Sequence, residues 1–585
     1  MEQRELSPRL QRLLEAFHAA RPEVFAERAV LATRAYARTE GQPMLIRRAE
    51  MLREILEGVT VLIRDGELIV GCKTPAILGS PLYPEVAIDW VQTELDTIAK
   101  RPEAPFDISN ETKETLRTQV FGYWQGRQVY QRILELLPAE VLRATDEGVF
   151  FHYFLNRTIG HITVDYARVL RKGFLGLKAE VEDELRRMDY EQPGCLKKLH
   201  LARAMCICCE AAIRFAERYA NEAQRLAEGE PDPSRRAELA EIAAICRHVP
   251  AHPARTFHEA LQSFWFVHLI LNLETNSYAI GPGRFDQYVY PYYQADLAAG
   301  RLTPERAWEL LACLWIKLNE LTVVKEGGTA KASTTYNDFQ NLNLGGQTAD
   351  GRDATNDISY MCLDVTGRLR LPQPQVSVLI SEKTPQRFLL KACEVVRLGF
   401  GMPAVYNDDE KVLALLDKGK TLEDARLGGI NGCVELNVQG GGRNWEGIRF
   451  RQEGPPEIEC YVLHDFKYNR FHVTLSEGHP EKARDLQLQL VDILLKTLGG
   501  DAEDMETHRR FNAPEFATHL LFRRRPFLAF ELSALGWPLF AWLTAGFGVG
   551  VALFGREEAR LPALVITGVS ALCAAGLTFY LKKKD

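Results

Sequence analysis

Residues 257–274 read FHEALQSFWFVHLILNLE, and residues 375–381 read QVSVLIS. The first is long enough for a helix; the second is a short apolar run that suits a strand. From about residue 255 such runs alternate, which predicts an α/β architecture with strands wrapped by helices. The stretch closes on GGINGCVELNVQGGG (428–442). Upstream, the text reads mainly as amphipathic helices, LQRLLEAFHAA (10–20) among them. A polar break with two prolines, AEGEPDPSRRAE (227–238), predicts a surface turn. Downstream, IECYVLHDF (458–466) and FHVTLSE (471–477) predict a strand pair, and EKARDLQLQLVDILLKTL (481–498) a long helix.

The chain has 585 residues, 46% hydrophobic and 25% charged, which fits a large globular core. A net charge of −7 leaves no global basic field, and no sustained basic stripe is present, so nucleic acid is not an expected partner. Twelve scattered cysteines suit a reducing, cytoplasmic compartment. The opening MEQRELSPRLQRLLEAF has no signal-peptide core. The last sixty residues differ sharply. Residues 532–554 and 561–581 carry no charge, and a bilayer needs about 20 apolar residues in a helix. They predict a transmembrane hairpin in the inner or plasma membrane. Arg523, Arg524 and Arg525 before it and Lys582, Lys583 and Lys584 after it place both ends in the cytoplasm.

The chemistry centres on Gly432-Cys433-Val434-Glu435. Glycine permits tight turns and close approach. Residues two apart in extended chain face one side, so Cys433 and Glu435 can address one substrate, the sulfur abstracting and the carboxylate taking a proton. An inert thiol beside a solvated acid is the alternative at this point. Cys206, Cys208 and Cys209 sit in helical text without metal-ligand spacing, so no metal is expected.

Five stretches occur in order: ETNSYAIGPGRFDQYVYPYY (274–293), YNDFQNLNLGG (336–346), LRLPQPQVSV (369–378), GMPAVYNDDE (401–410) and GINGCVE (429–435). ELIVG (67–71), SPLYPE (80–85) and GHITVDYARVLRKG (160–173) precede them. Together they resemble the glycyl radical enzymes of the pyruvate formate-lyase superfamily, most of all its glycerol and diol dehydratase branch. The resemblance implies a ten-stranded β/α barrel, here partial (1–442), with a helical N-terminal region. Residues 443–520 would form a small α+β segment and 521–585 the membrane segment.

By the same resemblance, Cys433 becomes a thiyl radical inside the barrel and takes a hydrogen atom from the substrate. Glu435 removes a hydroxyl proton, and His161 hydrogen-bonds and protonates the departing hydroxyl. Asp165 orients His161 if that segment is helical, or is a surface acid. Arg284 and Asp286 form a structural ion pair beneath the site. Tyr278, Phe339 and Tyr336 line a pocket or pack. The branch carries a substrate-contacting serine where this chain has Ala279, with Tyr278 beside it, which weakens glycerol or propane-1,2-diol as substrate. Another dehydratase substrate, C–N or C–S cleavage, or decarboxylation remains open.

No metal or bound cofactor is implied beyond an organic glycyl radical. Its glycine is not identified in this chain: Ala545-Gly546-Phe547 lacks the preceding arginine of the family motif and lies in a predicted span. An S-adenosylmethionine-dependent iron–sulfur activating enzyme and a homodimer follow from the resemblance. The chain alone is expected to have no turnover. Three accounts of residues 443–585 stand open: a truncated or frame-shifted reading fused to unrelated sequence, a degenerate member kept for a structural role, or a radical domain supplied by a separate polypeptide. The competing function is a membrane-tethered scaffold or binding protein built on this barrel.

Overall fold

The computed structural model describes residues 6–438, apart from 138, 140–141, 144–155, 159, 333–335 and 338, together with residues 464–465 and 470–471. The chain divides into two units. One comprises Met1–Arg132 with Tyr153–Gly441, and the other Ile133–His152 with Gly442–Asp585. In the second unit, an antiparallel pair of two-residue strands is found: His464–Asp465 falls inside the first predicted strand, and Arg470–Phe471 starts one residue before the second. The predicted helix at 481–498 and the two apolar spans lie outside the described residues. No helix among the described residues is long and apolar enough to cross a membrane.

The first unit begins with helices. Pro8–Ala19 is capped by the Ser7 side chain and opens on a proline. The break at 227–238 ends one helix, Cys195–Gly229, and starts the next, Pro233–His248, whose first amides are capped by Asp232. Cys206, Cys208 and Cys209 lie along the first of these. The decisive run, 257–274, forms one helix, Phe257–Glu274, capped by Thr256. It is apolar on nearly every face because it is buried on nearly every face: Phe257, Phe264, Trp265 and Phe266 are fully covered. Each such side chain contributes about 1.5–3 kcal/mol on burial.

The strands that follow are parallel. We label them β1 (Glu23–Phe25), β2 (Gly79–Pro81), β3 (Asn341–Gly345), β4 (Gln375–Ile380) and β5 (Ala404–Asn407). β1 pairs with β2, and β3, β4 and β5 form one parallel sheet in chain order. Parallel neighbours need a crossover, supplied by the helices Asp357–Leu369 and Gln386–Val396. Two isolated parallel bridges, Ile162 with Ile280 and Gly283 with Leu342, extend the array beyond β3. The array through β5 thus has five parallel segments, beside the separate β1–β2 pair, against the ten of the expected barrel.

Side-chain alternation tells the two faces apart. Leu342, Leu344, Val376 and Val378 enter the helix-covered core. Asn341 and Asn343, in register with Gln375 and Ser377, face the other way. On that face lies a hairpin, β6 (Gly429–Asn431) and β7 (Glu435–Asn437), whose turn carries Cys433.

Candidate active site

The hairpin is fixed by amide side chains of β3. Asn343 accepts from Ile430 N at 2.6 Å and donates to Ile430 O at 2.7 Å, a reciprocal pair. Asn341 donates to Gly432 O at 3.1 Å. Both asparagines are fully buried. From β5, the Tyr406 hydroxyl donates to Cys433 O at 2.8 Å. From the hairpin itself, Asn437 donates to His161 O at 2.9 Å. A buried polar group is costly unless it is paired, and for Asn341 and Asn343 the partners include backbone groups of the hairpin.

His161 reaches the turn from the segment next but one to β3, bridged at Ile162 to Ile280. Its amide donates to Tyr278 O at 2.9 Å, Ile162 N donates to Ala279 O at 3.1 Å, and Gly281 N donates to Ile162 O at 2.9 Å. Gly160 has no room for a side chain, since a Cβ would overlap Tyr278 O. His161 (φ 59°) and Ala279 (φ 57°) both occupy the left-handed region. Such strain costs about 1–2 kcal/mol for a residue with a Cβ, and it persists where surrounding contacts hold it.

The catalytic candidates then meet. His161 Nε2 lies 3.5 Å from Glu435 Oε2, and Val434 N donates to the same oxygen at 3.0 Å. Gly432, at φ +57°, lies against both: a Cβ there would overlap the imidazole and sit 2.7 Å from Glu435 Oε2. Partial burial pushes the Glu435 carboxyl upward, but the hydrogen bond and charge of His161, with backbone amides, outweigh it and hold it at about 2. The Cys433 thiol moves the other way. Partial burial and then the Glu435 charge raise it, so it remains S–H.

Several expectations need correction. The thiol was expected inside the barrel, and here Cys433 is exposed. The described strands wall the hairpin on one side only, and the second edge of β5 has no strand partner among the described residues. Asp165 does not orient His161. The helix starts later, at Tyr166, His161 lies before it on non-helical chain, and the Asp165 carboxylate caps the helix by accepting from Arg168 N at 2.9 Å. Arg284 and Asp286 form no ion pair with each other. Arg284 donates to the carbonyls of Gly345, Gln347 and Arg426, while Asp286 accepts from Gly345 N and the Ser359 hydroxyl.

Of the remaining candidates, Tyr278 and Ala279 adjoin His161 through their backbone carbonyls. The Tyr278 ring is covered by Arg157, 4.3 Å away, and Lys325, 5.5 Å away. Ala279 is fully buried. Phe339, just before β3, is 36% exposed. Tyr336 packs edge-on against Phe106 and is therefore packing. The sequence reading missed Asn341, Asn343, Tyr406 and Asn437. The signal was the N-L-N-L text at 341–344: alternation in a strand puts both carboxamides on one face, where only a polar neighbour can satisfy them.

A parallel strand array thus carries a glycine-flanked cysteine turn beside a carboxylate–imidazole pair. The sequence profile of the pyruvate formate lyase-like family matches residues 2–452, and the chain belongs to that family. Among curated relatives, trans-4-hydroxy-L-proline dehydratase of Clostridioides difficile is 40% identical over 437 residues, 74% of this chain and 55% of that protein. Isethionate sulfite-lyase of Bilophila wadsworthia is 34% identical over 543 residues, 90% of this chain and 62% of that one. The latter match therefore continues past residue 452. The glycerol-bound B12-independent glycerol dehydratase of Clostridium butyricum superposes with a TM-score of 0.74 at 34% identity, covering 98% of this chain and 66% of its own. The chain spans about half the length of the hydroxyproline dehydratase.

Proposed function

We propose that this chain carries the substrate side of a glycyl radical lyase, dehydratase-like, acting on a small hydroxylated molecule within a barrel of which the described strands are half. The reading is supported above all by the His161–Glu435 contact at the Cys433 turn. The glycyl radical of the family supplies one thing: it accepts the Cys433 S–H hydrogen atom. A raised thiol pKa fits that task, because hydrogen-atom loss requires S–H rather than thiolate. The radical comes from beyond the described residues and is installed by an S-adenosylmethionine-dependent iron–sulfur activating enzyme.

The other steps fall to this chain's residues. The Cys433 sulfur takes a hydrogen atom from the substrate carbon that bears a hydroxyl. Glu435, ionised at any working pH, takes the hydroxyl proton. Electron density moves into a C–O double bond, and the bond from the adjacent carbon to its leaving group breaks. His161 gives that group a proton. The product radical takes its hydrogen atom back from Cys433. Glu435 has then gained one proton and His161 lost one, and their contact returns it. The net change is loss of water, or of another leaving group, with a carbonyl left behind.

Ala279 and the cation-flanked Tyr278 set the substrate, together with Phe339; Asp165 contributes as a cap and not as a ligand. A sulfite-releasing C–S lyase is the second reading, favoured by the 90% coverage of this chain in its match with isethionate sulfite-lyase. The test is anaerobic incubation with an activating enzyme and a radical-bearing C-terminal domain supplied in trans, against trans-4-hydroxy-L-proline, glycerol and isethionate. Dehydrated product from a hydroxylated substrate supports the first reading, and sulfite release supports the second. A radical signal with no product from any of them defeats both.

A further inference from the structure

The stem of the cysteine hairpin is held by two buried cations that the chemistry above does not use. Arg284 is 2% exposed, at the N-terminus of the helix Phe285–Ala298. One arm of its guanidinium donates to Gly345 O at 2.6 Å and Gln347 O at 3.1 Å, at the end of β3. The other donates to Arg426 O at 3.0 Å and Gly428 O at 3.4 Å, just before β6. Lys411, on the helix Asp408–Asp417, approaches the same two carbonyls, Gly428 O at 2.7 Å and Arg426 O at 3.1 Å. Its third partner is the Asp408 carboxylate at 2.8 Å, with both side chains buried.

Two cations converging on one pair of carbonyls is an expensive arrangement. Their mutual repulsion and desolvation must be offset by backbone dipoles and by one carboxylate. Burial, then the nearby Arg284 charge, brings the Lys411 amine down to about 8 despite Asp408 and Asp409. Plain packing would favour an apolar residue here. A cation is what two inward-pointing carbonyls require, and those carbonyls fix where the hairpin leaves the scaffold. Gly428 leaves no slack, since a Cβ there would sit 2.6 Å from Leu415 Cδ1.

We propose that Arg284 and Lys411 are positioning residues for Cys433: by holding the carbonyls of Arg426 and Gly428 they set the register of the hairpin, and so the alignment of the thiol with Glu435 and His161. This role deepens the lyase reading and rests on it for its purpose, while its test reads hairpin geometry and no turnover. The two can therefore fail separately.

The experiment compares the full-length chain with Lys411→Met combined with Asp408→Asn, so that no buried carboxylate is orphaned, and with Lys411→Arg. Amide exchange is followed in residues 427–437 and in β3–β4, and iodoacetamide labelling of Cys433 is followed across pH beside exposed Cys393. The double variant should lose about tenfold protection in the hairpin alone, the equilibrium factor for one charge-assisted hydrogen bond. Its Cys433 labelling profile should move to lower pH, because the thiol escapes the Glu435 charge, while Cys393 stays put. Lys411→Arg should restore both. Protection lost equally in β3–β4, or a Cys433 profile unmoved while hairpin protection falls, would reduce the pair to structural support and overturn the proposal. If the double variant fails to fold, Lys411→Arg and Lys411→Gln, which keeps a donor, are compared in the same way. A Cys433 profile identical in those two and in the wild type would overturn it too.

Discussion

Replacing Gly432 with alanine perturbs the site at one atom. The residue sits at φ +57°, where a Cβ costs about 1–2 kcal/mol in backbone strain. The new methyl would also overlap the His161 ring and stand 2.7 Å from Glu435 Oε2. Overpacking of that kind costs about 1–3 kcal/mol. Together the variant carries about 2–5 kcal/mol. Opposing it are the side-chain hydrogen bonds that clip the hairpin down, two from Asn343 and one each from Asn341 and Tyr406. At a net of about 0.5–1.5 kcal/mol each, they are of the same size as the strain. The hairpin should therefore lift locally while β3–β5 stay folded. Hydrogen exchange followed by mass spectrometry reads this directly: amides of 429–437 should lose protection by tenfold or more, on the order expected for a loss of at least 1.4 kcal/mol. Protection within twofold of wild type would mean that Gly432 is not pressed against His161, and the site geometry described above would be wrong.

Other consequences are simpler. Asn343→Ala removes both partners of the Ile430 peptide and should cost about 2–4 kcal/mol, read as a lowered urea midpoint with unchanged slope. Ala279→Gly should stabilise the chain by up to about 1 kcal/mol, because the residue is held at φ 57° and has no side-chain hydrogen bond to lose; a lowered urea midpoint would show that its methyl matters more than its strain. Glu435 supplies the pH dependence. Its folded pKa of about 2 lies below the ordinary carboxylate range, so its stabilising share is complete above that range and is lost as pH falls toward 2. The stability difference between wild type and Glu435→Gln, measured by urea titration, should shrink between pH 5 and pH 3, and a difference constant with pH would refute the His161 contact as its cause.

How far the sequence could be read depended on whether a residue's partner lay in nearby text. Helices whose caps are local were legible: Thr256 before 257–274 and Asp232 before Pro233 cap as their positions suggest. The Gly432-Cys433-Val434-Glu435 turn was legible because its chemistry is written in four adjacent residues. Arg284 and Asp286 were misjudged because proximity in sequence suggested that they pair with each other. Their partners lie more than fifty residues away, backbone carbonyls for Arg284 and the Gly345 amide with the Ser359 hydroxyl for Asp286, and no periodicity announces them. Asp165 was misjudged for a related reason. A helix drawn through 160–173 puts it beneath His161, but the parallel bridge of Ile162 to Ile280 keeps that stretch out of the helix, which starts only where Asp165 caps it. The exposure of Cys433 was beyond any local signal, since enclosure depends on strands remote from it in sequence.

The account stands on Cys433 as the sulfur that takes and returns hydrogen. The most direct measurement supplies an activated radical domain in trans under anaerobic conditions. It then follows product from a hydroxylated substrate with the wild-type chain and with Cys433→Ser, a variant that keeps the shape of the turn and loses the weak S–H bond. Product with the wild type and none with Cys433→Ser, at equal radical signal, is the predicted result. Equal product from both chains would contradict it.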